Sequence, residues 1–185
     1  MTRFDLRHHA AQIVATIVLF LAMLWLNDWL FQRLEFARGI NYVYLPAGIR
    51  LVCTLLFAED GAWGLLIASW LVDFLWFFPD DFERAFMGGI LSTAAPWLAY
   101  RAARRYYGLD ASLRNLTPRR LLVLALAYSI ANPLLLHLWF AVRGQHDLLR
   151  GFAAMALGDL LGTLIVLYGL KGILALAARM TSLPP

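Results

Sequence analysis

A few ionisable side chains stand inside apolar stretches of this chain, and they are the residues that could do chemistry. Arg50 lies in the middle of one such stretch, while Asp73 and Asp159 lie in two others. A charge in hydrocarbon costs from roughly 3 to over 10 kcal/mol, so such residues normally face the inside of a helix bundle and pair with one another. We therefore expect a polar pocket built around Arg50, with Asp73 and Asp159 as its counter-ions.

Three further residues fall in the same half of the predicted bilayer. Asn132 and His137 share one apolar stretch, and Asp28 lies near the outer end of the first. A histidine can respond to protons near neutral pH, although a neutral, hydrogen-bonded histidine would satisfy the same position. Asp28 could simply reach interfacial water. The six residues thus form either a ligand-binding site or an ion-pair cluster that only fixes helix register.

The composition places this cluster in a membrane. Of the 185 residues, 62% are hydrophobic and 15% are charged, whereas soluble domains have about 45–50% apolar and about 25% charged residues. The single cysteine, Cys53, excludes an intrachain disulfide. We predict an all-α fold in which residues 1–185 form one polytopic transmembrane helical bundle.

Apolar segments separated by polar connections predict six spans, because about 17–25 residues suffice to cross a bilayer. The predicted spans are residues 11–31, 42–57, 62–78, 86–100, 121–142 and 152–175. The second is short, which is typical of a tilted span with an irregular outer end or of a re-entrant segment. Four residues are expected to make helices irregular: Pro46 and Gly48 in the second span, Pro133 in the fifth and Gly158 in the last.

The arginines predict the orientation. Six arginines lie between Arg101 and Arg120, and with the N-terminus inside, the inner segments carry nine arginines against five in the outer loops. Positive residues favour the cytoplasmic side. Both termini are therefore expected in the cytoplasm, and the basic segment is read as an orientation signal rather than as a nucleic-acid site.

Other chemistries have little support. Ala156 to Asp159 differ by one residue from the Gly-x-Gly-Asp pattern of intramembrane aspartyl proteases, and a nearby arginine would keep that aspartate ionised. The four histidines do not have a metal-ligand spacing, and neither a phosphate loop nor a nucleophile elbow is present. We expect no enzymatic activity, no cofactor and no metal.

Several short motifs together resemble a known family, the first membrane-associated sensor domain (MASE type). Tyr44 to Leu51 contain a Pro-x-Gly entry into a helix, and Trp63 follows the next turn. Leu157 to Gly162 are similar to a Gly-Asp-x-x-Gly motif near the last helices of that family. The stretch from Tyr107 to Asp110, with Arg114, is similar to its cytoplasmic connector. The resemblance extends over residues 42–170.

This resemblance implies a sensory module of a bacterial inner membrane. The family commonly has about eight spans and precedes an output domain, whereas six spans without an output domain are expected here. Signals would then leave through another membrane protein or through a partner on the arginine-rich loop. Besides the lipid bilayer, the expected partners are another membrane protein or signalling or transport subunit, and a second copy of the chain. The alternative is the substrate-binding component of a vitamin-type transporter, because such components also have six spans and cytoplasmic termini.

Overall fold

The computed structural model describes residues 3–110, 113 and 115–181, and this part of the chain is helical apart from one short hairpin and the connecting turns and loops. Its helices are α1 (Arg3–Phe31), α2 (Leu45–Val72), α3 (Phe82–Tyr107), α4 (Pro118–Val142) and α5 (Leu148–Thr181). A 3-10 turn (Gln32–Leu34) and the antiparallel strands β1 (Glu35–Ala37) and β2 (Ile40–Asn41) join α1 to α2. A π-helical segment (Asp73–Phe77) follows α2. Arg114 of the expected connector lies outside the described residues.

Four helices in the described part are long and apolar enough to cross a membrane: Asp5–Leu34, Leu45–Phe77, Pro118–Val142 and Leu148–Met180. The expectation of an all-α protein with membrane-type helices is confirmed. The predicted second and third spans correspond to the single long segment Leu45–Phe77. The predicted fourth span, 86–100, lies in α3, whose glycine, serine and threonine residues and flanking arginines make it less apolar.

Helix α2 is not one straight rod, because it reverses direction at Ala58. This residue has φ 50° and ψ −117°, which no α-helix allows. A Cβ on Gly61 would collide with the carbonyl of Cys53, and Arg50 Nη2 lies 3.4 Å from Ser69 Oγ. In a straight helix, positions 50 and 69 would be about 28 Å apart. The reversal therefore lies at Ala58, between the predicted spans 42–57 and 62–78.

The first half of α2 enters the bundle through an extended segment that packs on α5. Tyr44 N donates to the carbonyl of Gly158 at 3.1 Å. A Cβ on Gly158 would collide with Asn41 O, and one on Gly162 would collide with Tyr44 O. Irregular backbone of this kind is tolerated between membrane-type helices where it is buried in protein. The Gly-Asp-x-x-Gly motif thus permits close backbone approach.

Two side-chain pairs lie at opposite ends of the bundle. His9 Nδ1 and Asp60 Oδ2 are 2.6 Å apart and join α1 to the second half of α2. Arg143 Nη1 and Glu83 Oε2 are 2.9 Å apart and join the end of α4 to the start of α3. Between these ends lies the apolar core, in which Phe20, Leu51, Leu65 and Tyr128 are fully buried.

Candidate functional site

Arg50 is buried near the centre of the helix bundle. Its side chain lies on the first half of α2, and the residue is 6% exposed. The guanidinium carbon lies 5.1 Å from the centroid of the Phe20 ring and 5.7 Å from that of Tyr44. Both distances are within the roughly 6 Å over which a ring attracts a cation. Arg50 Nε is buried and makes no hydrogen bond to the described residues.

The two expected counter-ions lie close to Arg50 but do not touch it. Asp73 and Asp159 both interact electrostatically with its guanidinium. Within the described residues, however, no carboxylate oxygen comes within the 4.0 Å of an ion pair with Arg50. The expected direct ion pairs are therefore not formed, because each carboxylate faces other groups. Asp73 Oδ2 lies against Gly88 of α3, and Asp159 is held by α4.

A hydrogen bond between Asn132 and Asp159 joins α4 to α5. Asn132 Nδ2 donates to Asp159 Oδ2 at 2.6 Å, and both residues are fully buried. The second oxygen of each side chain, Oδ1, is buried without a partner among the described residues. Tyr128 Oη and Thr163 Oγ1, each four residues away on the same helices, are in the same condition. Helices α4 and α5 thus carry four oxygens with unused hydrogen-bonding capacity.

A small cavity lies between Arg50, Arg38 and Arg84, and we call it the arginine pocket. Its volume is about 60 Å³, and its charged lining residues are Arg38, Arg50, Arg84 and Asp73. Arg84 is further held by aromatic rings, because its guanidinium carbon lies 4.1 Å from the centroid of Phe78. Three arginines therefore line this pocket together with one aspartate. About 10–15 Å³ suffices for one water molecule, so the pocket has room for a group the size of a carboxylate or phosphate.

A larger open groove adjoins the arginine pocket, and we call it the aromatic groove. Its volume is about 940 Å³, and it lies between the C-terminal end of α1, the β-hairpin and the π-helical segment. Asp28 lines this groove rather than the arginine pocket, together with Glu35. Arg38 and Phe77 line both spaces. The two spaces therefore meet at these two side chains.

His137 is placed apart from the arginine pocket. Its Nδ1 lies 2.8 Å from the carbonyl of Pro133, so a proton on Nδ1 is donated to that carbonyl. The ring packs edge-on against Phe140 and Phe152. A Cβ on Gly151 would come within 2.8 Å of His137 Nε2. Arg50 and Asp73 therefore line the arginine pocket, and Asp159, which is bonded to Asn132, interacts electrostatically with Arg50. His137 belongs to neither group.

The four residues expected to make helices irregular all lie within helical segments. Pro46 lies in the first turn of α2, where its missing N–H costs nothing. Gly48 lies inside α2, and a Cβ there would come within 2.5 Å of Val166 Cβ on α5. Pro133 lies within α4. The non-helical backbone is at Ala58, which neither a glycine nor a proline marks in the sequence.

Several site residues were not found by the sequence reasoning. Asn27 Oδ1 accepts a 2.8 Å hydrogen bond from Leu45 N and so caps the start of α2. Tyr128 and Thr163 could have been found, because each lies one helical turn from Asn132 or Asp159. Arg84 was assigned to an outer loop, and Tyr44 was read as part of a motif. Nothing in their local sequence indicates that they share a cavity with Arg50.

No protein-family model matches this chain, and it matches neither a curated protein nor a solved structure. Among the described residues, no group of three or more His, Cys, Asp or Glu side chains could hold a metal ion.

Proposed function

We propose that this chain is a non-enzymatic sensory or interaction subunit of a bacterial inner membrane, and that its arginine pocket binds a small anion or the anionic group of a larger ligand. The observation that carries the proposal is the charge of the pocket. Arg38, Arg50 and Arg84 line it with a single carboxylate, Asp73. Guanidinium groups are the preferred partners of carboxylates and phosphates.

The unused polar atoms support binding rather than a purely structural role. Arg50 Nε and Arg84 Nε are both buried without a hydrogen-bond partner in the described part of the chain. A buried polar group without a partner costs about 1–3 kcal/mol, and more when it is charged. A structural arginine would be expected to have its hydrogen bonds satisfied within the protein. An anion in the pocket would accept hydrogen bonds from these donors.

Six spans with both termini in the cytoplasm are part of the proposal. The two halves of α2 together with the other four helices would supply six segments. With this topology, His9 and Asp60 lie on the cytoplasmic side, and Glu83 and Arg143 lie on the outer side. The arginine pocket then lies in the outer half of the bilayer, with the six-arginine segment on the inner side.

Occupancy of the pocket would be sensed through the positions of the helices. Arg50 belongs to the first half of α2, Arg84 to α3, and Arg38 to the hairpin that follows α1. An anion held between them would draw these elements together. The resemblance to sensor modules agrees with this role, in which a partner protein or a second copy of the chain reads the change.

The experiment is a thermal-unfolding series on the full chain in mild detergent, with sodium phosphate and sodium acetate at constant ionic strength. A bound anion should stabilise the protein by about 2.7 kcal/mol at one hundred times its dissociation constant. Arg50→Gln should abolish this effect. Arg33→Gln is the matched control, because it removes an exposed arginine from the connection between α1 and α2, where Arg38 also lies.

Arg84→Gln provides a second test if Arg50→Gln does not fold, because Arg84 is only partly buried. Equal stabilisation of the wild type, Arg84→Gln and Arg33→Gln would overturn the proposal. Capture of an ATPase-driven membrane partner together with a transported anion would instead favour the transporter alternative.

A further inference from the structure

The aromatic groove shares two lining residues with the arginine pocket and differs from it in charge. Arg38 and Phe77 belong to both linings. In the lining of the arginine pocket, three arginines (Arg38, Arg50 and Arg84) outnumber one carboxylate, Asp73. In the lining of the aromatic groove, the carboxylates Asp28 and Glu35 outnumber one arginine, Arg38. A ligand that reached from one space into the other would therefore meet positive charge at its inner end and negative charge at its outer end.

The aromatic groove also has the side chains that bind an ammonium group. Trp25, Trp29 and Trp76 line it, and each is more than 60% exposed. A ring face attracts a cation, and tryptophan does so best. Asp28 and Glu35 are close enough to interact electrostatically. Arg38 does not neutralise them by pairing, because its Nη2 donates to the carbonyl of Trp76 at 3.0 Å.

A small molecule could reach both spaces. Tyr44 lines the arginine pocket, where its ring centroid is 5.7 Å from the Arg50 guanidinium carbon, and it also interacts electrostatically with Asp28 of the aromatic groove. Because Arg38 and Phe77 line both spaces, the two charge environments are adjacent. The buried Arg50 Nε, which has no partner among the described residues, marks the inner end.

We infer that the natural ligand is an amino-phosphate or amino-carboxylate zwitterion, with its anionic group in the arginine pocket and its ammonium group in the aromatic groove against Asp28, Glu35 and the tryptophans. This inference rests on the proposed function, because it uses the same pocket for the anionic end. Phosphoethanolamine is the simplest probe, and it occurs both as a free compound and as a lipid head group.

The test compares phosphoethanolamine, phosphate and ethanolamine by thermal unfolding of the full chain in detergent at constant ionic strength. We expect phosphoethanolamine to bind at least ten times more tightly than phosphate, and ethanolamine to have no effect at the same concentration. In Asp28→Asn/Glu35→Gln, phosphoethanolamine should bind only as tightly as phosphate, while phosphate binding is kept or improved. The control Glu59→Gln/Asp110→Asn removes two exposed carboxylates elsewhere and should keep the tenfold preference.

The outcomes separate this inference from the proposed function. If phosphate does not bind the wild type, the proposed function fails. If phosphate binds but phosphoethanolamine binds no more tightly, or if Asp28→Asn/Glu35→Gln keeps the preference, only the zwitterion inference fails. A final series in nanodiscs tells whether the natural ligand is a lipid head group or a free compound. If phosphatidylethanolamine in the nanodisc competes with added phosphoethanolamine and phosphatidylglycerol does not, the ligand is a lipid head group. If neither lipid competes, the ligand is a free zwitterion.

Discussion

The Asp159 carboxylate accepts a 2.6 Å hydrogen bond from the Asn132 amide, and this bond joins α4 and α5 at the level of the arginine pocket. Asp159 reaches Arg50 only through its electrostatic field. The buried carboxyl group is therefore contacted by an amide and interacts at longer range with a guanidinium. Such an arrangement leaves room beside the arginine for a ligand.

We expect Asn132→Ala to destabilise the protein by about 1–3 kcal/mol, because it leaves a buried carboxylate without its donor. Ser129→Ala is the matched control, since its hydroxyl bonds only Ala125 O within α4. Unfolding in mixed detergent micelles measures both changes. In a double-mutant cycle with Asp159→Asn, a coupling of at least about 0.5 kcal/mol is expected between contacting groups. Additive effects would show that the bond contributes nothing.

Gly162→Ala should be among the most destabilising single-methyl additions in the chain. The new Cβ would collide with Tyr44 O, and overpacking of this kind costs about 1–3 kcal/mol. Gly169→Ala is the control on the same helix, because a Cβ there meets nothing within 4 Å. It should be neutral or stabilise α5 by up to about 1 kcal/mol. Similar unfolding free energies for the two variants would contradict the packing of residues 41–45 on α5.

The substitution Ala58→Gly should stabilise the protein. Ala58 has φ 50° and ψ −117°, and a strained backbone of this kind costs of order 1–3 kcal/mol for a residue with a Cβ. Ala62→Gly, in the helical second half of α2, should instead destabilise by about 1 kcal/mol. Opposite signs in the same unfolding assay are the expected result. If both glycines destabilise equally, α2 continues straight through position 58.

Cysteine labelling can test the proposed crossings. In a Cys53→Ala background, single cysteines are placed at the exposed residues Glu59, Asp80, Tyr106 and Gln145. A membrane-impermeant maleimide added to intact spheroplasts should label positions 80 and 145 only, and lysis should add 59 and 106. Labelling of position 59 from outside would make the α2 hairpin re-entrant. The reverse pattern at all four positions would invert the orientation.

The sequence predicted the helical class from the composition and length of its apolar runs. It predicted the burial of Arg50 because an isolated charge in such a run has few stable positions. It also placed Asp73, Asp159 and Asn132 near Arg50, because their depths could be estimated from span boundaries. Depth does not give rotation about a helix axis, however. This is why His137 was grouped with Arg50 although it does not line the arginine pocket.

Two details could not be predicted from local sequence. A turn was expected between the predicted spans 42–57 and 62–78, but the non-helical residue is Ala58, which favours helix, and the packing of the two halves of α2 places it there. Arg84 joins Arg50 because α3 begins beside the π-helical segment, whose residues look like the end of an ordinary span. Both features depend on contacts between segments rather than on periodicity within one.

The contact of Gly158 and Gly162 with residues 41–45 gives a way to recognise distant relatives by shape. Any chain with this architecture must keep both positions free of side chains, and must place a Pro-x-Gly helix start roughly where the crossing backbone turns inward. Positions 169 and 172 on the same helix are under no such restriction. Evolutionary drift should therefore erase most of the apolar residues long before it alters this pair of glycines.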